Sequence, residues 1–156
     1  NSQSPLTGFM TGVTAIKMDT NGYPRTVLTS PLSQYFQSKN YILIETPRMT
    51  INPNQSTFGS WVITANKAIT FLENTTVNLR GHVNITRNKT KNLPKTTFIT
   101  SSLTIDPNKN KAFTDKTVTI LQPNNNITAK GLRANLKTGV ISLVSKASGE
   151  FDPNSN

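Results

Sequence analysis

A nine-residue segment near the middle of the chain, residues 77–85, alternates apolar or small residues with polar ones at every step. An extended strand places successive side chains on opposite faces, whereas a helix would scatter these positions around its circumference. The segment therefore predicts a strand with one buried and one solvated face. The buried face would carry Val77, Leu79, Gly81, Val83 and Ile85, and the solvated face Asn78, Arg80, His82 and Asn84.

Short segments of the same kind recur along the chain between polar turns. Asn21-Gly22-Tyr23-Pro24 predicts a turn between strands at 13–17 and 25–29, and Thr138-Gly139 predicts one before a last strand at 140–145. Pro47 interrupts the alternation around it, which is typical of an edge or a bulge. Thr and Asn are abundant, and no stretch shows an apolar period near 3.6. We expect an all-β fold of antiparallel strands, in a single domain spanning residues 1–156.

A weak repeat supports this interpretation. The tripeptides at 63–65, 99–101 and 127–129 each combine Ile-Thr with a small residue and open a similar passage that ends in a turn. Repeated strand-turn-strand units favour a stacked sheet or an elongated sandwich, although chance is an open alternative in a Thr-rich chain.

The charge balance is strongly basic, with a net charge of +10 from 17 Lys and Arg against 7 Asp and Glu. Such a chain attracts anionic partners of any kind, so charge alone does not choose among nucleic acid, lipid head groups and acidic proteins. Nucleic-acid binding on a sheet usually needs exposed aromatic residues, and Trp61, Phe71 and Phe98 fall at positions that predict an interior location. We therefore expect no nucleic-acid partner.

Residues suited to catalysis do not converge in this sequence. The one histidine, His82, is predicted to be a surface or rim residue, and the seven acidic residues are scattered and lie mostly in or beside turns. Cysteine is absent, which excludes disulfides and thiolate metal sites, and the common nucleotide-binding and hydrolase motifs are missing. The sequence predicts a protein without enzymatic activity, cofactor or metal.

Several segments, taken in order, resemble the LptC family of periplasmic lipopolysaccharide-transport proteins. The family opens with a strand, an Asp-x-x-Gly-x-Pro turn and a second strand, which residues 13–28 resemble. Residues 61–68 are similar to its Trp-x-x-x-Ala-x-x-Ala segment, and residues 79–85 to its Leu-x-Gly-x-Val-x-Ile strand. The resemblance continues through residues 99–103, 115–118 and 131–136, and covers about residues 6–151.

The resemblance implies an open β-jellyroll of antiparallel strands whose interior binds the acyl chains of lipopolysaccharide. It implies a periplasmic location, an inner-membrane ABC transporter at the N-terminal edge (residues 13–17) and an LptA-like periplasmic protein at the C-terminal edge. The family's N-terminal membrane-spanning helix is not present in this chain, which has no apolar segment near the roughly 20 residues needed. The partner edge strand would consist of Val140, Ile141, Ser142, Leu143, Val144, Ser145 and Lys146.

The alternation and the resemblance together predict the residues that contact lipid. They are Ile44, Met49, Trp61, Ile63, Leu79, Val83, Phe98, Ile105, Val118, Ile120, Leu132 and Ile141. Arg80, Arg87 and Lys130 are candidates to meet head-group phosphates at a rim. Alternation alone favours a sealed core, and only the resemblance favours an open groove, so a structural or adhesion-type β domain is the alternative function.

Overall fold

The computed structural model describes residues 8–53, 59–73, 76–91 and 93–151, with side chains described as far as Ser145. Within these ranges the chain forms antiparallel strands and one 3-10 turn, Gln37–Lys39, so the all-β prediction is confirmed. The strands are β1 Gly8–Met18, β2 Pro24–Phe36, β3 Tyr41–Glu45, β4 Arg48–Ile51, β5 Trp61–Thr64, β6 Lys67–Phe71, β7 Val77–Arg87, β8 Thr96–Asp106, β9 Lys111–Gln122, β10 Asn125–Asn135 and β11 Ile141–Phe151. No helix in the described part of the chain is long and apolar enough to cross a membrane.

The eleven strands behave as nine, because β3 with β4 and β5 with β6 are two long strands interrupted at their middles. Glu45 pairs with Lys67 just before the interruption and Arg48 pairs with Thr64 just after it, in one unbroken register. Every long strand pairs with its neighbour in the chain, so the fold is a meander from β1 to β11. β1 pairs only with β2 and β11 only with β10 among the described residues, which leaves both outer edges open.

The long strands bend at their middles, along a line that we call the corner. Left-handed backbone conformations mark it at Thr46 (φ 39°), at Gly81 and His82 (φ 80° and 48°) and at Gly131 (φ 88°). The register shifts between Arg80 and Val83 of β7 and between Lys130 and Leu132 of β10. These are β-bulges, and a bulge at the same level in neighbouring strands bends the whole sheet.

The corner divides the sheet into two layers that face each other. Layer A contains β3, β6 and residues 8–11, 32–36, 77–80, 102–106, 111–114, 132–135 and 141–143. Layer B contains β4, β5 and residues 13–18, 24–29, 83–87, 96–100, 117–122, 125–130 and 145–151. Because no helix in the described ranges covers the sheet, its apolar face becomes buried only where one half covers the other. The inner face holds a continuous core that runs through both layers. The structure is an open β-jellyroll, as predicted.

Backbone groups that leave the strand ladders at the corner find other partners. The Thr46 amide donates to the Asn66 carbonyl and the Asn66 amide donates to the Gly81 carbonyl, each at 2.8 Å. The Asn66 side chain meets Nδ1 of His82 at 2.9 Å, which gives this exposed histidine a structural contact. Unpaired buried backbone groups are costly, so these bonds stabilise the bend.

Three strand boundaries differ from those predicted. β1 and β2 are longer than the strands predicted at 13–17 and 25–29. Gly12 and Pro31, which lie at the corner, interrupt the alternation of apolar and polar residues, so the sequence pattern does not show that each strand continues. β11 runs to Phe151 rather than ending at Ser145. The predicted frayed tail, residues 152–156, lies outside the described residues.

The predicted repeat corresponds to a structural one. Its three tripeptides lie immediately before the corner in β5, β8 and β10, which all run from layer B to layer A. Ile63 and Ile127 face inwards, but Ile99 lies opposite Asn84 on the outer face. The repeat therefore reflects the approach to the bend more than a common packing position.

We expect Gly131→Ala to lower the free energy of unfolding by about 1–3 kcal/mol, since an alanine would occupy a left-handed conformation. Its Cβ would also lie 2.8 Å from the Val144 side chain. Gly8→Ala is the control, because nothing lies within 4 Å of the added Cβ. Urea unfolding measures both variants, and equal stabilities would show that the bend at Gly131 is not strained.

Candidate functional site

The candidate site is the apolar space between the two layers. All twelve residues predicted to contact lipid lie on the inner face. Ile141 is half-buried against the core, and the others are buried: Ile44, Met49, Trp61, Ile63, Leu79, Val83, Phe98, Ile105, Val118, Ile120 and Leu132. Phe71, in contrast, was wrongly predicted to be interior, because it follows the outward parity of β6 and is exposed.

The middle of this interior is closed. Val83, Ile105 and Leu132 have no solvent-exposed surface, and the remaining core side chains are at most 9% exposed. Two cavities, of about 720 and 370 Å³, are lined by none of the twelve residues, whereas a third, of about 360 Å³ beside the corner, is lined in part by Leu79. The first is on layer A around Phe113 and Arg133, and the second is between the β1–β2 turn and the turns at Asn110 and Lys137. Any guest between the layers must therefore separate them.

At the N-terminal end the interior is open to solvent. Met10 pairs with Ser33, which faces inwards, yet Met10 is 61% exposed because the opposite layer does not extend over β1. Its neighbour Phe9 points to the other face and is 66% exposed. β1 thus presents apolar side chains on both faces, with its outer edge unpaired in the described structure.

At the C-terminal end the arrangement is similar. Leu143 pairs with Leu132 and shares its inner face, but Leu143 is 37% exposed while Leu132 is fully buried. Val144 points outwards and is 56% exposed. The predicted edge residues Ile141–Lys146 belong to β11, Val140 precedes it, and the backbone of Lys146 pairs with Ala129. The apolar interior therefore reaches the surface at both ends of the meander.

A row of inward-facing polar residues lines the free end of layer B, opposite the corner. We call this row the polar rim; it comprises Trp61, Arg87, Thr96, Gln122 and Asn125, one from each of β5, β7, β8, β9 and β10. Asn125 donates to Gln122, Gln122 donates to the Thr96 hydroxyl at 3.1 Å, and that hydroxyl donates to the Pro94 carbonyl. The next inward-facing position on each of these strands, towards the corner, is apolar: Ile63, Ile85, Phe98, Ile120 and Ile127. The polar rim therefore borders directly on the apolar interior.

Arg87 is the charged member of the polar rim. Burial lowers the pKa of its guanidinium, because a cation is less stable away from water. The guanidinium lies over the Phe98 ring, 6.0 Å from its centroid. Its buried Nε has no hydrogen-bond partner among the described residues, and neither has the indole Nε1 of Trp61, its register partner.

The other two predicted rim cations lie elsewhere. Arg80 follows Leu79 on the outward parity of β7, beside the corner, and Lys130 is exposed next to Gly131 of β10. Parity sends both side chains to the outer face, away from the polar rim, and their contact with head-group phosphates stays a prediction. Lys17, not predicted, does reach the free end of layer B, where its ammonium donates to the Pro107 carbonyl of layer A.

Comparison with known proteins places this geometry in a family. The fold and the interior define an open β-jellyroll with an apolar space between two layers. The LptC-related family of lipopolysaccharide-assembly proteins matches residues 2–152, and the chain belongs to this family. The family description places the chain in lipopolysaccharide assembly.

Among solved structures, the chain is similar to LptH of Pseudomonas aeruginosa, described as the LptA-homologous periplasmic component of the lipopolysaccharide transport device. The TM-score is 0.55 at 8% identity, over 82% of this chain and 95% of that one, so the likeness concerns the fold. A comparison with curated protein sequences gives no match.

Because the interior is closed in its middle and open at its end, two Leu→Ala substitutions should lower the free energy of unfolding by different amounts. Leu132→Ala should lower the free energy of unfolding by about 2–5 kcal/mol, as expected for a fully buried leucine. Leu143→Ala, on the same face of the adjacent strand, should cost about 1 kcal/mol or less, since its side chain is already partly hydrated. Urea unfolding measures both, and equal costs would contradict an interior that opens at β11.

Proposed function

We propose that this chain carries lipopolysaccharide between two partners, with the acyl chains held between layers A and B. The observation that supports this most is the form of the interior, which is apolar except for the buried Ser30, Ser33, Thr100 and Thr114, reaches the surface at both ends of the meander and has a polar row at its rim. An amphiphile needs these features together. A domain that only needed a sealed core would gain nothing from exposing Met10 and Leu143 at its ends.

The energetics of entry suit transfer. Acyl chains that separate the layers replace contacts between side chains with contacts to hydrocarbon, so the apolar surface stays out of water. Each methylene taken from water contributes about 0.8 kcal/mol, so part of one acyl chain already binds usefully. The ladder hydrogen bonds lie within each layer and survive the separation.

The two open edges suggest where the partners bind. Unpaired strand edges invite addition of a further strand, and both β1 and β11 present such an edge among the described residues. The family resemblance implies an anchor upstream of β1, so we assign β1 to the inner-membrane ABC transporter and β11 to an LptA-like periplasmic protein. Lipopolysaccharide would then enter at the β1 end and leave at the β11 end.

Lipid capture can be tested with adjacent residues that point to opposite faces. A photo-crosslinking residue at Met10 or Leu143 should capture lipopolysaccharide, because both side chains face inwards at the open ends. The same residue at Phe9 or Val144 should not, although these positions are at least as exposed. Mass spectrometry of the lipid adducts measures the outcome. Equal capture at inward and outward positions would favour the alternative of a sealed β domain.

Partner assignment can be tested with the outward positions of the same strands. A crosslinking residue at Val144 should capture an LptA-like protein and one at Ile16 should capture a transporter subunit, as both side chains are exposed beside an open edge. Phe113, exposed on β9 within the sheet, is the control and should capture neither. Capture of the LptA-like protein at Ile16 would reverse the proposed direction.

A further inference from the structure

We propose that Trp61 and Arg87 form a binding site for a phosphate group of the lipid, at the polar rim of layer B. This inference rests on the proposed function and adds to it the position of the head group. Phosphate monoesters on the sugars that carry the acyl chains are the anionic groups nearest to the hydrocarbon of lipopolysaccharide. A site for them should therefore lie immediately above the apolar interior.

The first support is a pair of buried donors without acceptors. Trp61 has no exposed surface and its indole N–H finds no partner in the described part of the chain, and the same holds for Nε–H of Arg87. The two residues are register partners on β5 and β7 and face the same side of the sheet, so their side chains are neighbours. A buried donor without an acceptor costs free energy, and two at one position suggest a common acceptor supplied from outside.

The second support is that Arg87 forms no ion pair with an acidic side chain of the described ranges. The ion pairs among the described residues join Asp19 to Arg25, Glu45 to Lys67 and Asp115 to Arg133, and none involves Arg87. The other members of the polar rim, Thr96, Gln122 and Asn125, are neutral. A half-buried cation facing an apolar space without a counter-ion is an attractive position for an anionic group.

The geometry suits phosphate better than a lone water molecule. The guanidinium carbon lies over the Phe98 ring, 6.0 Å from its centroid, which places the cation beside the apolar interior. Arginine presents several donors in one plane, which match the oxygens of a phosphate. Thr96 cannot compete for the ligand, because its hydroxyl already donates to Pro94 and accepts from Gln122.

The single tryptophan of the chain makes the site directly observable. Its indole N–H gives one resonance in a ¹⁵N–¹H spectrum, which should move downfield when lipid A carrying its phosphates is added and should not do so with dephosphorylated lipid A. Arg87→Gln should weaken binding of the phosphorylated lipid about ten- to a hundredfold, the value expected for a charged hydrogen bond. It should leave affinity for the dephosphorylated lipid unchanged.

Arg80→Gln is the matched control, because it removes the same charge from the outer face of the same strand and should change affinity by less than about twofold. If both lipids bind wild type equally and Arg87→Gln has no effect, the phosphate site is disproved while lipid transport stands. If neither lipid binds wild type, the proposed function itself fails. Inorganic phosphate is the third ligand. Binding of free phosphate as tight as that of the phosphorylated lipid would overturn the assignment to a head group.

Folding provides an independent measurement. A half-buried cation without a counter-ion opposes folding, so Arg87→Met, which keeps a similar aliphatic stem, should raise the denaturation midpoint while it lowers affinity for the phosphorylated lipid. A lowered midpoint would show that Arg87 stabilises the fold through a bond within the chain, and the phosphate site would then be wrong.

Discussion

The structure depends on one constraint: a sheet with a single apolar face and no helix must cover that face with itself. Bending every long strand at its middle achieves this, since the two halves of each strand then bury each other's inner side chains. The bulges at Gly81 and Gly131 and the break at Pro47 are where the backbone departs from regular pairing to make the bend. Each terminal strand has an inner face without full cover, which accounts for the exposure of Met10 and Leu143.

Much of this was predictable from the sequence because alternation reports which face is buried. All twelve residues predicted to line the interior do face inwards, and the turns at Gly22 and Gly139 were correctly placed. The bend was not predictable, because Gly81 and His82 preserve the alternation of β7 while they shift its register. The position of Phe71 was wrongly predicted because an apolar side chain does not always mark the inner face. Near this end of layer A the outer face also carries aromatic contacts, between Phe36, Tyr41 and Phe71.

The polar rim shows what pattern analysis misses at a site. Thr96 and Gln122 are ordinary polar residues in the sequence, and only strand pairing places them in one row with Trp61 and Arg87. Arg87 was named as a rim candidate together with Arg80 and Lys130, and charge alone could not separate them. The signal that could have done so is parity: Arg87 continues the inward series of Val83 and Ile85, whereas Arg80 belongs to the outward one.

The corner also governs how the protein can deform. Because every long strand runs through the corner, the layers are joined by continuous backbone along that side and by side chains elsewhere. Widening the gap on the opposite side is then a rotation about that backbone line. Under the proposed function, such a rotation would let the gap widen at one strand at a time, so that the core would never be hydrated along its whole length at once.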